Sequence, residues 1–140
     1  QDNLSFSAKK GTVRGLHYQK PPYEQSKYVS LLNGSIEDVF VDVRPNSKNF
    51  GKYSSVILDK PGDSIYIPKG YLHGFCTLRN DTIVEYKVDN PYNKDSEIGV
   101  LWNDKSLLID WKLSNMNPIL SHKDSNLMSW SQFIKDMGIK

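Results

Sequence analysis

Short runs in which apolar and polar residues alternate recur along most of this chain, from its start to about residue 92. Proline, glycine and asparagine separate the runs about every eight to twelve residues, the spacing typical of a sandwich or barrel. No segment in this part repeats apolar residues with the helical period. The pattern predicts an all-β domain of short antiparallel strands. The predicted strands are 11–19, 27–32, 36–43, 53–58, 64–67, 74–78 and 82–88.

The dipeptide Asn33-Gly34 separates two of these runs. Asn-Gly favours the tight turn that joins antiparallel neighbours, because both residues tolerate positive φ. The sequence therefore predicts a β-hairpin between 27–32 and 36–43.

The C-terminal part has a different character. Loop signals begin near residue 90, and 98–102 is predicted as one further short strand. After a stretch rich in Ser and Asn, apolar residues recur at helical spacing, which predicts a short amphipathic C-terminal helix packed on the β domain. These apolar residues are Leu127, Trp130, Phe133, Ile134 and Met137.

Composition narrows the classes of partner. The chain has 140 residues, 38% of them hydrophobic, and we expect a single domain over 1–140. A net charge of +2, without a long basic run, gives no reason to expect a nucleic acid. No apolar run approaches the ~18 residues of a membrane span, so we expect no membrane partner. The lone Cys76 lies among apolar neighbours, which predicts a buried thiol and fits a cytoplasmic location.

Three polar residues lie on predicted strand faces that are otherwise apolar. Alternation in 11–19 places His17 on one face with Val13, Gly15 and Gln19. Lys27 and Tyr86 also share their faces with apolar residues. A base, a cation and a phenol that meet in one cavity could remove a proton, stabilise an oxyanion and return a proton. Each residue also has a purely structural explanation. His17 could be a hydrogen-bonded core residue, and Lys27 could extend into solvent from a sheet edge. Tyr86 could be a core residue with its hydroxyl bonded to backbone.

Metal binding receives little support from the sequence. The chain has three histidines, and none is two residues from another. Apart from Glu24, which follows a double proline, no carboxylate lies shortly after His17. We therefore expect no catalytic metal.

Several motifs together resemble the dTDP-4-dehydrorhamnose 3,5-epimerase family, in register from Gln1 to about Asp124. The resemblance implies a cupin-like jelly-roll homodimer that inverts C3 and C5 of a dTDP-linked 4-keto-6-deoxy sugar without metal or cofactor. The motifs are Arg14-Gly15-Leu16-His17-Tyr18-Gln19, Gln25-Ser26-Lys27, residues 34–44, residues 67–75, Tyr86-Lys87, Trp102-Asn103-Asp104 and residues 120–124.

The resemblance also implies roles for individual residues. The catalytic positions are His17 as general base, Asp124 as its dyad partner, Lys27 near the C4 oxygen and Tyr86 as the acid on the opposite face. The substrate-contacting positions are Arg14 and His73, Gln1 and Asn3 near the nucleotide, and Tyr92 as an aromatic lining residue. We assign no role to His122, which we expect in a solvated loop.

One family feature is absent. The family carries an Asp-x-Arg-Gly-x-Phe segment upstream of Gln1 that crosses the dimer and helps to bind the nucleotide. Because residues 1–7 already alternate like a strand within a sheet, we expect upstream sequence to be missing from this chain.

Other functions would use the same set of site residues. An enzyme that inverts only C3 or only C5, and a 4-keto-sugar isomerase, need the same base, oxyanion stabiliser and acid. A non-catalytic sugar-nucleotide-binding cupin is an alternative of another class, although all four catalytic positions are filled here.

Overall fold

The computed structural model describes residues 1–139 and consists mainly of β-strands. The strands are β1 (Asp2–Ser7), β2 (Val13–Gln19), β3 (Lys27–Asn33), β4 (Ile36–Asp42), β5 (Tyr53–Leu58), β6 (Ser64–Ile67), β7 (Tyr71–Thr77), β8 (Thr82–Val88) and β9 (Glu97–Gly99). Two short helices follow, α1 (His122–Ser125) and α2 (Trp130–Asp136). None of the helices in 1–139 has the length and apolar character needed to cross a bilayer.

The strands form two antiparallel sheets that pack face to face. The smaller sheet has the order β1-β8-β3-β6, and the larger has the order β5-β4-β7-β2-β9. The predicted all-β class and jelly-roll architecture are confirmed.

The predicted hairpin at Asn33-Gly34 is wrong. A turn is present, with Gly34 at φ +88°, but β3 belongs to the smaller sheet and β4 to the larger one. The turn therefore carries the chain from one sheet to the other. Val29 and Leu31 on β3 share an apolar cluster with Ile36 on β4, so burial between the sheets determines the partners of both strands.

Apolar side chains form two clusters, one on each face of the larger sheet. The inner cluster lies between the sheets and contains Val29, Leu31, Ile36, Leu58, Ile67, Phe75 and Val84. The outer cluster joins β2, β4 and β7 to the C-terminal part of the chain, from Val100 to Phe133. Cys76 is fully buried in this outer cluster as predicted, and burial raises the pKa of its thiol to about 12.

The C-terminal helix forms where the apolar spacing predicts it, but it is shorter than the pattern. Ser129 caps α2, with its hydroxyl accepting a hydrogen bond from the Gln132 amide. Trp130 and Phe133 are buried against the outer cluster, whereas Leu127 precedes the helix.

Two predicted strand boundaries need correction. The strand predicted at 98–102 is confined to Glu97–Gly99, because Val100 makes only an isolated bridge with Met128. β7 begins at Tyr71 instead of residue 74, so His73 lies within a strand.

Candidate active site

A cleft with two lobes lies between the sheets, and each lobe has a volume of about 390 Å³. His17, Lys27, Tyr86 and Lys123 line both lobes. The structure brings all nine predicted site residues to this cleft. The first lobe adds Arg14, His73 and Asp124, and the second adds Gln1, Asn3 and Tyr92.

The strand β2 places His17 in the cleft through an irregularity that the sequence did not reveal. The register between β2 and β7 shifts between Arg14 and His17. As a result both side chains face the cleft, while Val13 packs in the outer cluster. The prediction that Val13 and His17 share one face is therefore wrong, because it assumed uninterrupted alternation.

His17 and Asp124 form a hydrogen-bonded dyad, with 2.6 Å between Nε2 and Oδ1. The Gly15 amide donates to the other carboxylate oxygen at 3.2 Å. Burial opposes ionisation of Asp124, but the hydrogen bond and charge of His17, together with the Gly15 amide, lower its pKa below the usual range. An ionised Asp124 accepts a hydrogen bond from Nε2–H of His17. In that tautomer the Nδ1 lone pair is available to accept a proton.

A single helical turn holds Asp124, in place of the loop that we expected around His122. Ser121 caps this turn, and its hydroxyl accepts a hydrogen bond from the Asp124 amide at 3.0 Å. His122 is exposed, in agreement with its lack of an assigned role.

Loss of this cap tests how strictly Asp124 must be placed. We expect Ser121→Ala to lower kcat by about tenfold, because small displacements of catalytic groups are costly, and Ser121→Thr to restore most of the rate. Ser129→Ala is the matched control, since it removes the equivalent cap of α2 away from the cleft. Steady-state kinetics and thermal melts of the three variants make the comparison. Equal losses of kcat in Ser121→Ala and Ser129→Ala would contradict the expectation.

Lys27 lies on a strand that is flanked on both sides, by β6 and β8. It therefore does not extend from a sheet edge, and its ammonium points into the cleft with the apolar Val29 and Leu31 on the same face. Burial lowers the pKa of Lys27 to about 8, although Asp38 and Glu97 favour the charged form.

Tyr86 comes from β8, so it approaches the cleft from the sheet opposite to His17. Within residues 1–139 its hydroxyl makes no hydrogen bond, which argues against a core tyrosine tied to backbone. Burial raises the pKa of the phenol above its usual value, so the hydroxyl keeps its proton at neutral pH.

His73 pairs with Asp38, a residue that the sequence analysis did not identify. Their Nε2 and Oδ1 atoms lie 2.7 Å apart, and Asp38 is fully buried. Its second oxygen, Oδ2, has no partner within the described chain. Burial lowers the pKa of His73 despite the nearby carboxylate, so the imidazole is neutral. The alternation of β4 contained a signal, because Asp38 falls between Ile36 and Phe40 on the inward face.

Lys123 and Glu97 were also missed. The Lys123 ammonium donates to both oxygens of Glu97 at 2.7 and 2.8 Å, and the Tyr92 hydroxyl donates to the same carboxylate at 2.7 Å. This ion pair lines the second lobe. Lys123 directly precedes Asp124 in the motif at residues 120–124, whereas no sequence signal marks Glu97.

The N-terminal strand closes one side of the cleft. The Arg14 guanidinium donates to the Phe6 carbonyl at 2.9 Å and to the Ser7 hydroxyl at 3.2 Å. Farther along, the Gln1 side chain donates to Asn3 at 3.0 Å and accepts from the Tyr92 amide at 2.9 Å. Among the residues that the structure describes, no cluster of three or more His, Cys, Asp or Glu could hold a metal ion.

Comparison with known proteins agrees with this arrangement. A family model described as dTDP-4-dehydrorhamnose 3,5-epimerase matches residues 1–132. The chain belongs to this family. The dTDP-4-dehydrorhamnose 3,5-epimerase of Shigella flexneri is 46% identical over 127 residues, which cover 90% of this chain and 68% of that relative.

Solved structures of epimerases share the fold. The enzyme from Legionella pneumophila, in complex with dTDP-4-keto-L-rhamnose, is 38% identical and superposes with a TM-score of 0.90, covering 98% of this chain and 72% of that one. A 3'-monoepimerase from Streptomyces bikiniensis, in complex with dTDP, is 29% identical with a TM-score of 0.89 and covers 99% of this chain and 69% of that one. The latter structure is a double mutant in which a histidine is replaced by asparagine and a tyrosine by phenylalanine.

Proposed function

We propose that this epimerase inverts C3 and C5 of dTDP-4-dehydro-6-deoxyglucose, with His17 as base and Tyr86 as acid. The observation that carries the proposal is the placement of the His17–Asp124 dyad and the Tyr86 hydroxyl on opposite sheets of one cleft. The mutated histidine and tyrosine of the Streptomyces bikiniensis monoepimerase have almost the same spacing as His17 and Tyr86, which supports their assignment.

Proton removal needs two groups that act together. A C–H bond next to the C4 ketone is acidic only because the electron pair left behind is delocalised onto oxygen as an enolate. The Nδ1 atom of His17 takes the proton, and Asp124 stabilises the imidazolium that forms. The Lys27 ammonium stabilises the negative charge on the C4 oxygen.

Inversion requires that the new C–H bond forms on the other face of the sugar. The Tyr86 phenol, on the opposite wall, donates its proton to the enolate carbon, and the C4 ketone is restored. Solvent then returns a proton to the phenolate and takes one from the imidazolium. The same cycle at the second carbon completes the epimerisation.

The remaining cleft residues suit a nucleotide sugar. Arg14 places a positive charge at the first lobe, where it would bind a diphosphate, whereas the Lys123 ammonium is paired with Glu97. In the second lobe, Gln1, Asn3 and Tyr92 offer amides and an aromatic ring to a nucleoside. His73 is neutral and hydrogen-bonded to Asp38, so its Nδ1 atom would accept a hydrogen bond from a sugar hydroxyl.

Solvent isotope labelling tests the proposal. The protein is incubated in heavy water with dTDP-4-dehydro-6-deoxyglucose, and deuterium is located in the sugar by NMR. We expect label at both C3 and C5, because the proton delivered by Tyr86 comes from solvent.

A C3-only epimerase is the second candidate, since the Streptomyces bikiniensis relative with the same fold is a 3'-monoepimerase. Label at C3 alone would favour that function. A product with its ketone moved to C3 and label at C4 would indicate an isomerase. Binding of the substrate without any label would indicate a non-catalytic binding protein.

The pKa of Lys27 predicts the alkaline limb of the pH profile. Lys27 is charged below pH 8 and neutral above it, so kcat/KM should fall by about tenfold per pH unit above that value. The raised pKa of Tyr86 places its ionisation at higher pH. In Lys27→Arg the guanidinium stays charged, and the limb near pH 8 should disappear even if the rate is lower. Measurement of kcat/KM from pH 6 to 10 for both proteins tests this expectation. An unchanged alkaline limb in Lys27→Arg would show that Lys27 does not cause it.

We further propose that the enzyme is a homodimer. β1 is an edge strand whose Leu4 and Phe6 side chains are 69% and 56% exposed. Tyr28, Leu32 and Tyr66 are also exposed on the smaller sheet. An apolar surface of this kind is typical of an interface between subunits. Sedimentation equilibrium should give the mass of two chains, and a Leu4→Glu, Tyr66→Glu double variant should shift the protein towards the monomer.

We place the enzyme in the cytoplasm. The buried, unpaired Cys76 is compatible with a reducing compartment. Fractionation of cells that produce the protein, followed by detection with an antibody, tests this location.

A further inference from the structure

Gln19, at the end of β2, is a member of the Arg-Gly-Leu-His-Tyr-Gln motif that the proposed chemistry leaves without a role. Its side chain is only 5% exposed. A buried amide is costly unless its donors and its acceptor all find partners. The partners of Gln19 therefore indicate what the residue does.

The three hydrogen bonds of the Gln19 amide connect two loops. Its Nε2 atom donates to the Tyr23 carbonyl at 2.7 Å and to the Pro91 carbonyl at 3.3 Å. Its Oε1 atom accepts from the Asn93 amide at 2.8 Å. Tyr23 belongs to the loop 20–26 that follows β2, and the other two partners belong to the loop 89–96 that follows β8. One buried side chain thus joins segments from both sheets.

Further hydrogen bonds run between the same loops. Gln25 donates to the Asn90 carbonyl at 2.8 Å, and the Asn90 amide group donates back to the Glu24 carbonyl at 2.7 Å. The Ser26 backbone amide donates to Asp89 at 2.8 Å. The two loops therefore form one hydrogen-bonded unit, and the buried Gln19 side chain contacts both of them.

This unit forms part of the wall of the second lobe. Gln25 from the first loop and Tyr92 from the second line the lobe beside Gln1 and Asn3. The Tyr92 amide also donates to the Gln1 side chain, so the position of the second loop fixes Gln1 as well.

We infer that Gln19 is a positioning residue that sets the separation of these loops and thereby the affinity of the second lobe for the nucleotide. The inference rests on the proposed function, because it assigns the nucleoside of the substrate to that lobe. Gln19 lines the lobe next to His17, but its amide is occupied by the loops. Its loss should therefore affect binding more than proton transfer.

The test compares binding with turnover in Gln19→Glu. This change keeps the size of the side chain but turns both donors into acceptors, so a carboxylate faces the Tyr23 and Pro91 carbonyls. We expect Kd for dTDP and KM for the sugar nucleotide to rise by about tenfold or more, as for buried groups that lose their partners. The kcat at saturating substrate and the pH profile should change little. Gln19→Met removes the hydrogen bonds without adding charge, so Kd and KM should rise less. This variant replaces Gln19→Glu in the test if Gln19→Glu does not fold.

Thr77→Val is the matched control. Thr77 is also buried; its hydroxyl accepts from the Thr12 amide and donates to the Lys9 carbonyl, and it lines neither lobe. We expect comparable thermal destabilisation with unchanged Kd and KM. Wild-type Kd in both Gln19 variants, the same rise in Thr77→Val, or a loss confined to kcat would each overturn the inference. Failure of the proposed function is seen separately, as absence of deuterium incorporation by the wild-type protein.

Discussion

His17→Asn should abolish epimerisation while leaving the protein folded and able to bind dTDP. Asparagine fills the site and can still hydrogen-bond to Asp124, but its amide cannot accept a proton from carbon. The expected loss in kcat is about 10²–10⁴-fold, the usual contribution of a general base. Deuterium exchange at both C3 and C5 should stop as well, because no enolate forms. Kinetic measurement together with NMR of the recovered substrate tests both statements.

His122→Asn is the matched control, since this histidine is exposed on α1 beside the dyad. Its turnover should equal that of the wild type. Retention of near-normal turnover in His17→Asn would show that another group removes the proton, and the dyad would then need a different explanation.

Tyr86→Phe should separate proton removal from inversion. His17 can still take the proton and can return a deuteron to the face from which it came. We therefore expect deuterium in recovered substrate of unchanged configuration, with net epimerisation reduced by about 10²–10⁴-fold. NMR distinguishes this labelled substrate from the inverted product.

Tyr53→Phe provides the comparison, because Tyr53 lies on β5 of the larger sheet and lines neither lobe. It should epimerise at the normal rate. Simultaneous loss of exchange and inversion in Tyr86→Phe would contradict its assignment as the acid, since phenol removal would then block formation of the enolate.

The sequence predicted the strands well because alternation is a local property. It predicted their partners less well. Asn33-Gly34 favours a turn, but the choice between pairing β3 with β4 and placing the two strands in opposite sheets depends on which faces are buried together. That information belongs to the whole fold, and two residues do not contain it.

The same difference between local patterns and long-range contacts applies to the site. Lys27 and Tyr86 were detectable because each is a polar residue on an apolar face. His17 was singled out by an alternation that the register shift in β2 interrupts. Asp38 is also a polar residue on an otherwise apolar face. It was missed because the mixture of acidic and apolar residues around it also fits a strand with one face exposed to solvent. Glu97 carried no local signal, and only folding brings it within hydrogen-bond distance of Lys123 and Tyr92.

The dyad also bears on when activity first appears during synthesis. His17 and Asp124 are separated by 107 positions in the chain, and the segment that carries Asp124 also covers the outer cluster of the larger sheet. A ribosome that has translated both sheets has therefore made the base without its carboxylate partner. The imidazole acquires that partner only when the segment that contains Asp124 has left the exit tunnel and docked against the larger sheet. Chains that end before Asp124 therefore lack an assembled dyad, even when both sheets have been made.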